Sequence, residues 1–290
     1  MKNKKKSLII VSALIVISAV LAIAVLPKLI QSAQNRALEK YFSEDIKNVD
    51  NIELVSPSQV VDGKSDTIAG VKESIRLGAD SVIVNLCFKK DFTPVICSDY
   101  TVADGAQTVE ELFKVLCTDL YRNVSIYLNI VQLSDLSKLN SLCTDYNLVD
   151  RVFLIGIDKN HYSMISSDDT IIPFFFDYDI TSEDIKSAEN GEFALPEFLN
   201  NYGALGIVID ADDVDKEFVE ALNIYSIPFI VKNINSEDDF CKCSLNGAVR
   251  LVTNTPERSR EIIDLWTASM QERFESSVNK SLEDLSKQSR

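Results

Sequence analysis

The chain of 290 residues contains one histidine, His161, and only nine glycines. A single imidazole excludes any mechanism that needs two histidines in one chain. No glycine-rich phosphate loop follows any candidate strand, which argues against an open, doubly wound nucleotide fold. Basic residues are scarce as well: 29 Lys and Arg stand against 44 Asp and Glu, for a net charge of −15. Seven of those bases lie in residues 1–40 beside one acid, Glu39, so residues 41–290 carry 22 bases against 43 acids. A body that acidic does not attract nucleic acid or an anionic lipid surface through its general field. Apolar residues are not scarce. At 46% apolar and 25% charged the chain is globular in composition, and its length fits one barrel-sized domain or two small ones.

The amino end reads as a membrane signal. Four lysines within residues 2–6 precede the uncharged run 7–26, Ser-Leu-Ile-Ile-Val-Ser-Ala-Leu-Ile-Val-Ile-Ser-Ala-Val-Leu-Ala-Ile-Ala-Val-Leu. As a helix, such a run matches a hydrocarbon core of roughly 30 Å. The preferred reading is an uncleaved, single-pass anchor. The other is a cleaved signal peptide, for which Ala22-Ile23-Ala24 offers a small-x-small site. Lysines ahead of the span, with only Lys28 just after it, place the amino end in the cytoplasm and the rest outside the cell membrane. The expected organisation is a basic tail (1–6), the anchor (7–26), a helical stalk (27–50), a barrel (51–267) and a charged C-terminal helix (268–290).

From residue 51 onward, short apolar runs alternate with amphipathic stretches. Strands are expected at Ile52–Val55, Ser81–Cys87 with a hairpin partner Thr93–Cys97, Val124–Val131, Val152–Ile157, Ile171–Phe176, Leu205–Ile209, Pro228–Ile234 and Val249–Thr253. Helices are expected at Thr67–Leu77, Val109–Leu120, Asp135–Tyr146, Lys159–Ser166, Val214–Ile224, Ser236–Leu245 and Pro256–Trp266, with two short turns in Ser182–Asn201. Continuous β-branched runs such as Gly206-Ile207-Val208-Ile209 suit strands buried on both faces. The alternation implies parallel βαβ units, and their number is that of a closed (β/α)₈ TIM barrel. Phe174-Phe175-Phe176 reads as strand core. Of the six cysteines, Cys117 and Cys143 fall in apolar helical positions, and Cys241-Lys242-Cys243 is neither a bridge nor a zinc pattern. Parity is expected to send Cys87 and Cys97 to opposite faces, so buried thiols are favoured over disulfides, although the expected compartment permits bridges.

The run Thr67-Ile-Ala-Gly-Val-Lys-Glu-Ser-Ile-Arg-Leu-Gly-Ala-Asp80, continued by Ser-Val-Ile-Val-Asn-Leu-Cys-Phe-Lys-Lys-Asp-Phe-Thr-Pro-Val-Ile-Cys-Ser-Asp99, resembles the amino-terminal half of the glycerophosphodiester phosphodiesterases. Arg151–Asp158, Phe229–Asn235 and Asn246–Pro256 resemble later segments of that family, and the resemblance spans residues 51–265. It implies a TIM barrel, the architecture reached above from periodicity. The activity it implies is phosphodiester hydrolysis with a carboxylate-held metal and two histidines. This sequence departs from that pattern at every reacting position. The family's His-Arg pair falls on Ser56 and Pro57, the glutamate of E-N-T on Ser65, the E-x-D pair on Ile83 and Asn85, and the histidine of H-D on Ser98, with Asp99 retained. Its third-strand glutamate falls near Val131, and its tryptophan on Lys232. Isoleucine and valine offer no oxygen to a hard cation, and a serine needs a base beside it to move a proton.

Strand ends that would ring a barrel mouth supply Asp158, Asp177, Asp179, Asp210, Asp212, Asn235 and Asn254 as ligand-binding candidates. An acidic pocket for a cation and a set of helix-capping acids are both open readings. No resident metal or cofactor is expected. The leading functional expectation is a membrane-tethered, catalytically degenerate phosphodiesterase-like barrel that binds an unknown ligand or protein partner. The alternatives are an active hydrolase with a rebuilt Ca²⁺ or Mg²⁺ site, and a surface scaffold assembled through its terminal helices.

Overall fold

The structure is a computed structural model that describes residues 28, 30–46, 49–98, 102–132, 134–159, 161–162 and 170–288. The chain divides into two compact units, Met1–Asp45 and Ile46–Arg290. In the first, residues 30–42 are helical. The expected span at 7–26 lies outside the described residues, and among the described residues no helix is long and apolar enough to cross a membrane.

The second unit is a closed barrel. Its strands are β1 (Glu53–Pro57), β2 (Ser81–Phe88), β3 (Pro94–Ile96), β4 (Ser125–Ile130), β5 (Val152–Ile157), β6 (Phe174–Asp177), β7 (Gly206–Asp210), β8 (Phe229–Lys232) and β9 (Arg250–Val252). Eight of them run parallel in the order β1-β2-β4-β5-β6-β7-β8-β9, and β9 pairs back onto β1. The remaining strand, β3, is the antiparallel hairpin partner of β2. The outer helices are α1 (Ile68–Arg76), α2 (Val109–Leu116), α3 (Ser137–Asp145), α4 (Ser182–Glu189), α5 (Leu195–Tyr202), α6 (Lys216–Ile224), α7 (Glu237–Leu245) and α8 (Pro256–Gln288). The stretch expected to hold two turns therefore forms two helices, α4 and α5. Of the helix expected at Lys159–Ser166, only residues 159, 161 and 162 are described, and these are helical.

Helix starts follow local chemistry. Thr67, Thr108, Thr181, Asp215 and Ser236 each accept a first-turn amide, and Thr108 with Glu111 and Thr181 with Asp184 close capping boxes. Asp215, not Asp212 or Asp213, caps α6; those two sit in a 3₁₀ turn, Ala211–Asp213.

The barrel interior is layered by strand alternation. Val55, Tyr127, Ile155, Phe175, Val208 and Ile230 form the middle layer, with Ile83, Phe153 and Val252 packed against it. Phe174 and Phe176 are buried on the other side of β6, so the three phenylalanines serve both faces of the strand. At the amino-terminal end of the strands, Glu53 accepts from Arg250 Nε (2.8 Å), Ser81 Oγ (2.5 Å) and Tyr127 OH (3.2 Å). Gly206 sits against the Pro228 carbonyl so closely that a β-carbon there would overlap it.

The hairpin corrects the expectation for Cys87 and Cys97, which form a disulfide. Register is the reason. Cys87 lies opposite Val95, so Cys97, two residues beyond Val95, shares the face of Cys87 as its diagonal neighbour. Cys143, Cys241 and Cys243 are buried cysteines outside any disulfide, as expected, whereas Cys117 is exposed at the end of α2.

Two stability outcomes follow. Gly206→Ala should lose at least about 2 kcal/mol, because the clash is with backbone that cannot move aside. Urea unfolding of the two proteins checks this. The Cys87→Ala/Cys97→Ala pair should lose up to ~2.5 kcal/mol, the loop-closure contribution for a short loop; an unchanged midpoint would mean that the bridge constrains nothing.

Candidate functional site

Residues one alternation beyond the middle layer form the rim at the carboxyl ends of the strands, where this fold carries its sites. They are Pro57, Asn85, Asn129, Asp177, Asp210, Lys232 and Asn254. Strand β5 breaks the alternation. Its pairing with β6 shifts register between Leu154 and Ile157, and Gly156 adopts φ +76° with the Asn129 side chain against it, leaving no room for a β-carbon.

The β2–β4 side of the rim is built of two amides and one carboxylate that pair with one another. Asp66 accepts from the Asn85 main-chain N–H (3.0 Å) and from its Nδ2 (3.3 Å). The Asn85 Oδ1 in turn accepts from Asn129 Nδ2 (2.8 Å). Beside this chain the Cys87–Cys97 disulfide and Val95 pack with Ala106 and Val131 into an apolar cluster, and the Cys97 amide donates to the Asn85 carbonyl (3.0 Å). Val131 thus lies in apolar packing. Ile83 is a middle-layer residue of the interior. Ser56 is fully buried on the helical side of β1 and is held by Gln59 Nε2 (3.1 Å). Pro57 is the rim residue of its strand, and Ser65 and Ser98 are half-buried in loops. Asp99 lies outside the described residues.

The β6–β8 side carries the charge. Lys232 Nζ stands 3.6 Å from Asp177, and Asp210 accepts from Asn233 Nδ2. Burial lifts the Asp177 carboxyl above the ordinary aspartate range; Lys232 opposes the shift, while Asp158 and Asp210 add to it. Asp213 is raised as well, first by burial and then by Asp210, Asp179 and Asp212. The structure therefore groups Asp158 and Asp210 near Asp177, which pairs with Lys232, and leaves Asp179 and Asp212 exposed at the edge, near Asp213. Asp158 also accepts the His161 main-chain N–H (2.9 Å), a helix-start contact, with the imidazole beside the same oxygen. Asn235 and Asn254 lie apart from these acids, in a cleft between the ends of β8 and β9.

Sequence reasoning missed Asp66, Asn129 and the disulfide, and weighed Lys232 only as a lost tryptophan. Asn129 was findable, since it lies on the inward parity of β4 two residues before Val131. Asp66 was not, because it reaches the rim from a loop residue at φ +49°.

With this geometry established, comparison with known proteins is informative. No family model matches the chain, and no curated protein matches it. Solved structures do. A glycerophosphodiester phosphodiesterase from Parabacteroides distasonis superposes with a TM-score of 0.57 at 12% identity, covering 74% of this chain and 97% of that one. The glycerophosphodiester phosphodiesterase from Agrobacterium tumefaciens gives 0.54 at 13%, covering 75% and 99%. A phosphodiesterase from Oleispira antarctica, solved with its product sn-glycerol-3-phosphate, gives 0.56 at 14%, covering 73% and 96%. The fold is that of the glycerophosphodiester phosphodiesterases.

The divalent metal that the fold family implies finds a poor donor set here. Two of its expected carboxylates are Ile83 and Asn85, and the Asn85 carbonyl already accepts from Asn129. Among the described residues, no group of three or more His, Cys, Asp or Glu side chains is arranged to hold a metal ion. The residues present do not fit the metal.

One titration follows. Asp177 should take up its proton above the usual aspartate value of about 3.9, and higher still in Lys232→Met, which removes the opposing charge. Its raised folded pKa means that the native chain binds this proton more tightly than the unfolded chain. The stabilisation from that proton is fully present below the unfolded pKa and is lost as pH rises through the folded one. Carboxyl ¹³C chemical shifts followed against pH check both statements; an ordinary or lower value in the variant would contradict them.

Proposed function

We propose that this chain is a phosphodiesterase-like barrel that no longer hydrolyses phosphodiesters and instead binds a ligand or protein partner at its rim, held at the outer surface of the cell membrane by residues 7–26. The observation that carries this reading is the Asp66–Asn85–Asn129 chain on the β2–β4 side of the rim, in which amides stand at the two inward strand positions and the Asp66 carboxylate accepts from Asn85. Hydrolysis requires a charge that neutralises the phosphoryl oxygens and a group that protonates the leaving alkoxide. Asn85 supplies neither, and the apolar cluster around Cys97 and Val131 occupies the neighbouring ground. The one histidine follows β5 at a helix start, where its main-chain N–H donates to Asp158, away from the β2–β4 positions at which the resemblance expects the family's histidines.

Two observations support the extracytoplasmic placement. The lysines of residues 2–6 precede the apolar run, and a disulfide between buried cysteines belongs to an oxidising compartment. The acidic β6–β8 side favours a ligand group or partner surface that carries positive charge over an anionic one. No nucleic acid partner is proposed.

The test is hydrolysis of glycerophosphocholine and of bis(p-nitrophenyl) phosphate by the full chain, with Ca²⁺, with Mg²⁺ and with EDTA. Turnover should not exceed buffer in any of the three. Metal-dependent turnover that EDTA removes, and that Asp177→Asn/Asp210→Asn lacks, would establish a rebuilt hydrolase site instead.

A further inference from the structure

Between the carboxyl ends of β8 and β9 lies a cleft of about 240 Å³, open to the rim. Its floor is apolar: Ile234, Phe240 and Ile262 line it and are almost fully buried. Its edges are polar, supplied by Asn235 and Asn254 at the strand ends and by Thr255 and Ser236 just ahead of α8 and α7.

The charged groups of the cleft are already committed to one another. Arg258 donates through Nε and Nη2 to both oxygens of Glu237 (2.9 and 3.0 Å) and through Nη1 to Glu261 (3.0 Å). Two carboxylates thus surround one guanidinium, and an arriving phosphate would have to displace them. The helix starts offer an anion little, because α7 opens with Glu237, Asp238 and Asp239, and α8 carries Glu257 in its first turn. Nor is the cleft a cation site, since the carboxylate facing it, Glu237, is held bidentately by Arg258. What remains unspent is neutral. Among the described residues, no hydrogen bond engages the side-chain amides of Asn235 and Asn254; Asn254 is used only through its main-chain carbonyl, by Gln59 (3.3 Å).

We propose that this cleft seats a neutral polyhydroxylated ring, a glycosyl unit. A sugar ring presents an apolar C–H face, which suits the Ile234–Phe240–Ile262 floor, and a rim of hydroxyls that both give and accept. A primary amide is the side chain that meets such hydroxyls with a donor and an acceptor together. The volume lies below the ~300–1,000 Å³ of pockets for drug-sized ligands, which fits one ring and not a whole lipid. This deepens the binding reading above and rests on it for its role, though not for its chemistry.

The experiment uses the full chain in phosphatidylcholine nanodiscs. Saturation-transfer NMR is recorded with methyl α-D-glucopyranoside as a free ring and with dextran as a polymer of the same ring, and ³¹P line width with inorganic phosphate. Saturation should reach one or both glycosyl probes and fall at least fivefold in Asn235→Ala/Asn254→Ala and in Ile262→Trp, which fills the floor. Leu120→Ser, at the far end of the barrel, should leave it unchanged, and phosphate should not broaden. A free-ring signal alone identifies a small-molecule ligand, and a dextran signal a glycan chain. Absence of signal from both probes overturns the proposal, as does phosphate broadening that Arg258→Ala removes. Metal-dependent phosphodiester turnover would overturn the non-hydrolytic reading and leave a positive glycosyl result standing; absent glycosyl signal without turnover would overturn this inference alone.

Discussion

Glu53 is the residue on which barrel closure turns. A cylinder of parallel strands must bring its first strand to its last, and the backbone ladder between β1 and β9 is only three residue pairs long. The Glu53 carboxylate adds ties to β9 through Arg250, to β2 through Ser81 and across the interior to β4 through Tyr127. Burial and the adjacent carboxylate hold the Tyr127 hydroxyl well above its ordinary pKa, so it stays a donor at any physiological pH. Losing one member of so closed a network strands the others away from full solvation, which costs more than the pair contributes.

Seen from that network upward, the interior changes character in one direction. Paired ions give way to an apolar middle layer and then to a rim divided in two. The β2–β4 side presents two amides and the Asp66 carboxylate, hydrogen-bonded among themselves and backed by a disulfide. The β6–β8 side gathers the carboxylates around one lysine. The fold is that of a phosphodiesterase, yet the charge of the rim lies on a different arc from the one that the sequence resemblance implies. A group that recognises this rim meets amides on one side and acids on the other.

Much of the architecture was legible in the sequence because parallel strands buried on both faces require apolar runs such as Gly206–Ile209, and the caps at Thr67, Thr108 and Ser236 mark where helices begin. The departures from the family pattern, such as Ile83 and Asn85 at the E-x-D positions, were legible only through the motif resemblance. What escaped depended on pairing between distant segments. The disulfide needed the hairpin register, and the Asp66 contact needed a loop conformation that no periodicity encodes. The division of the strand-end aspartates was hidden too: all looked alike in sequence, but Asp158 and Asp210 gather at Asp177, which pairs with Lys232, while Asp215 proved to be the cap of α6.

One element has mechanical consequences. Helix α8 packs on β1, buries Trp266 completely and then continues without interruption to Gln288. At 1.5 Å per residue its last twenty-two residues amount to a lever of roughly 33 Å. A tension applied to the tail is borne by the seat of Trp266 against the barrel and delivered to the strand that carries Glu53.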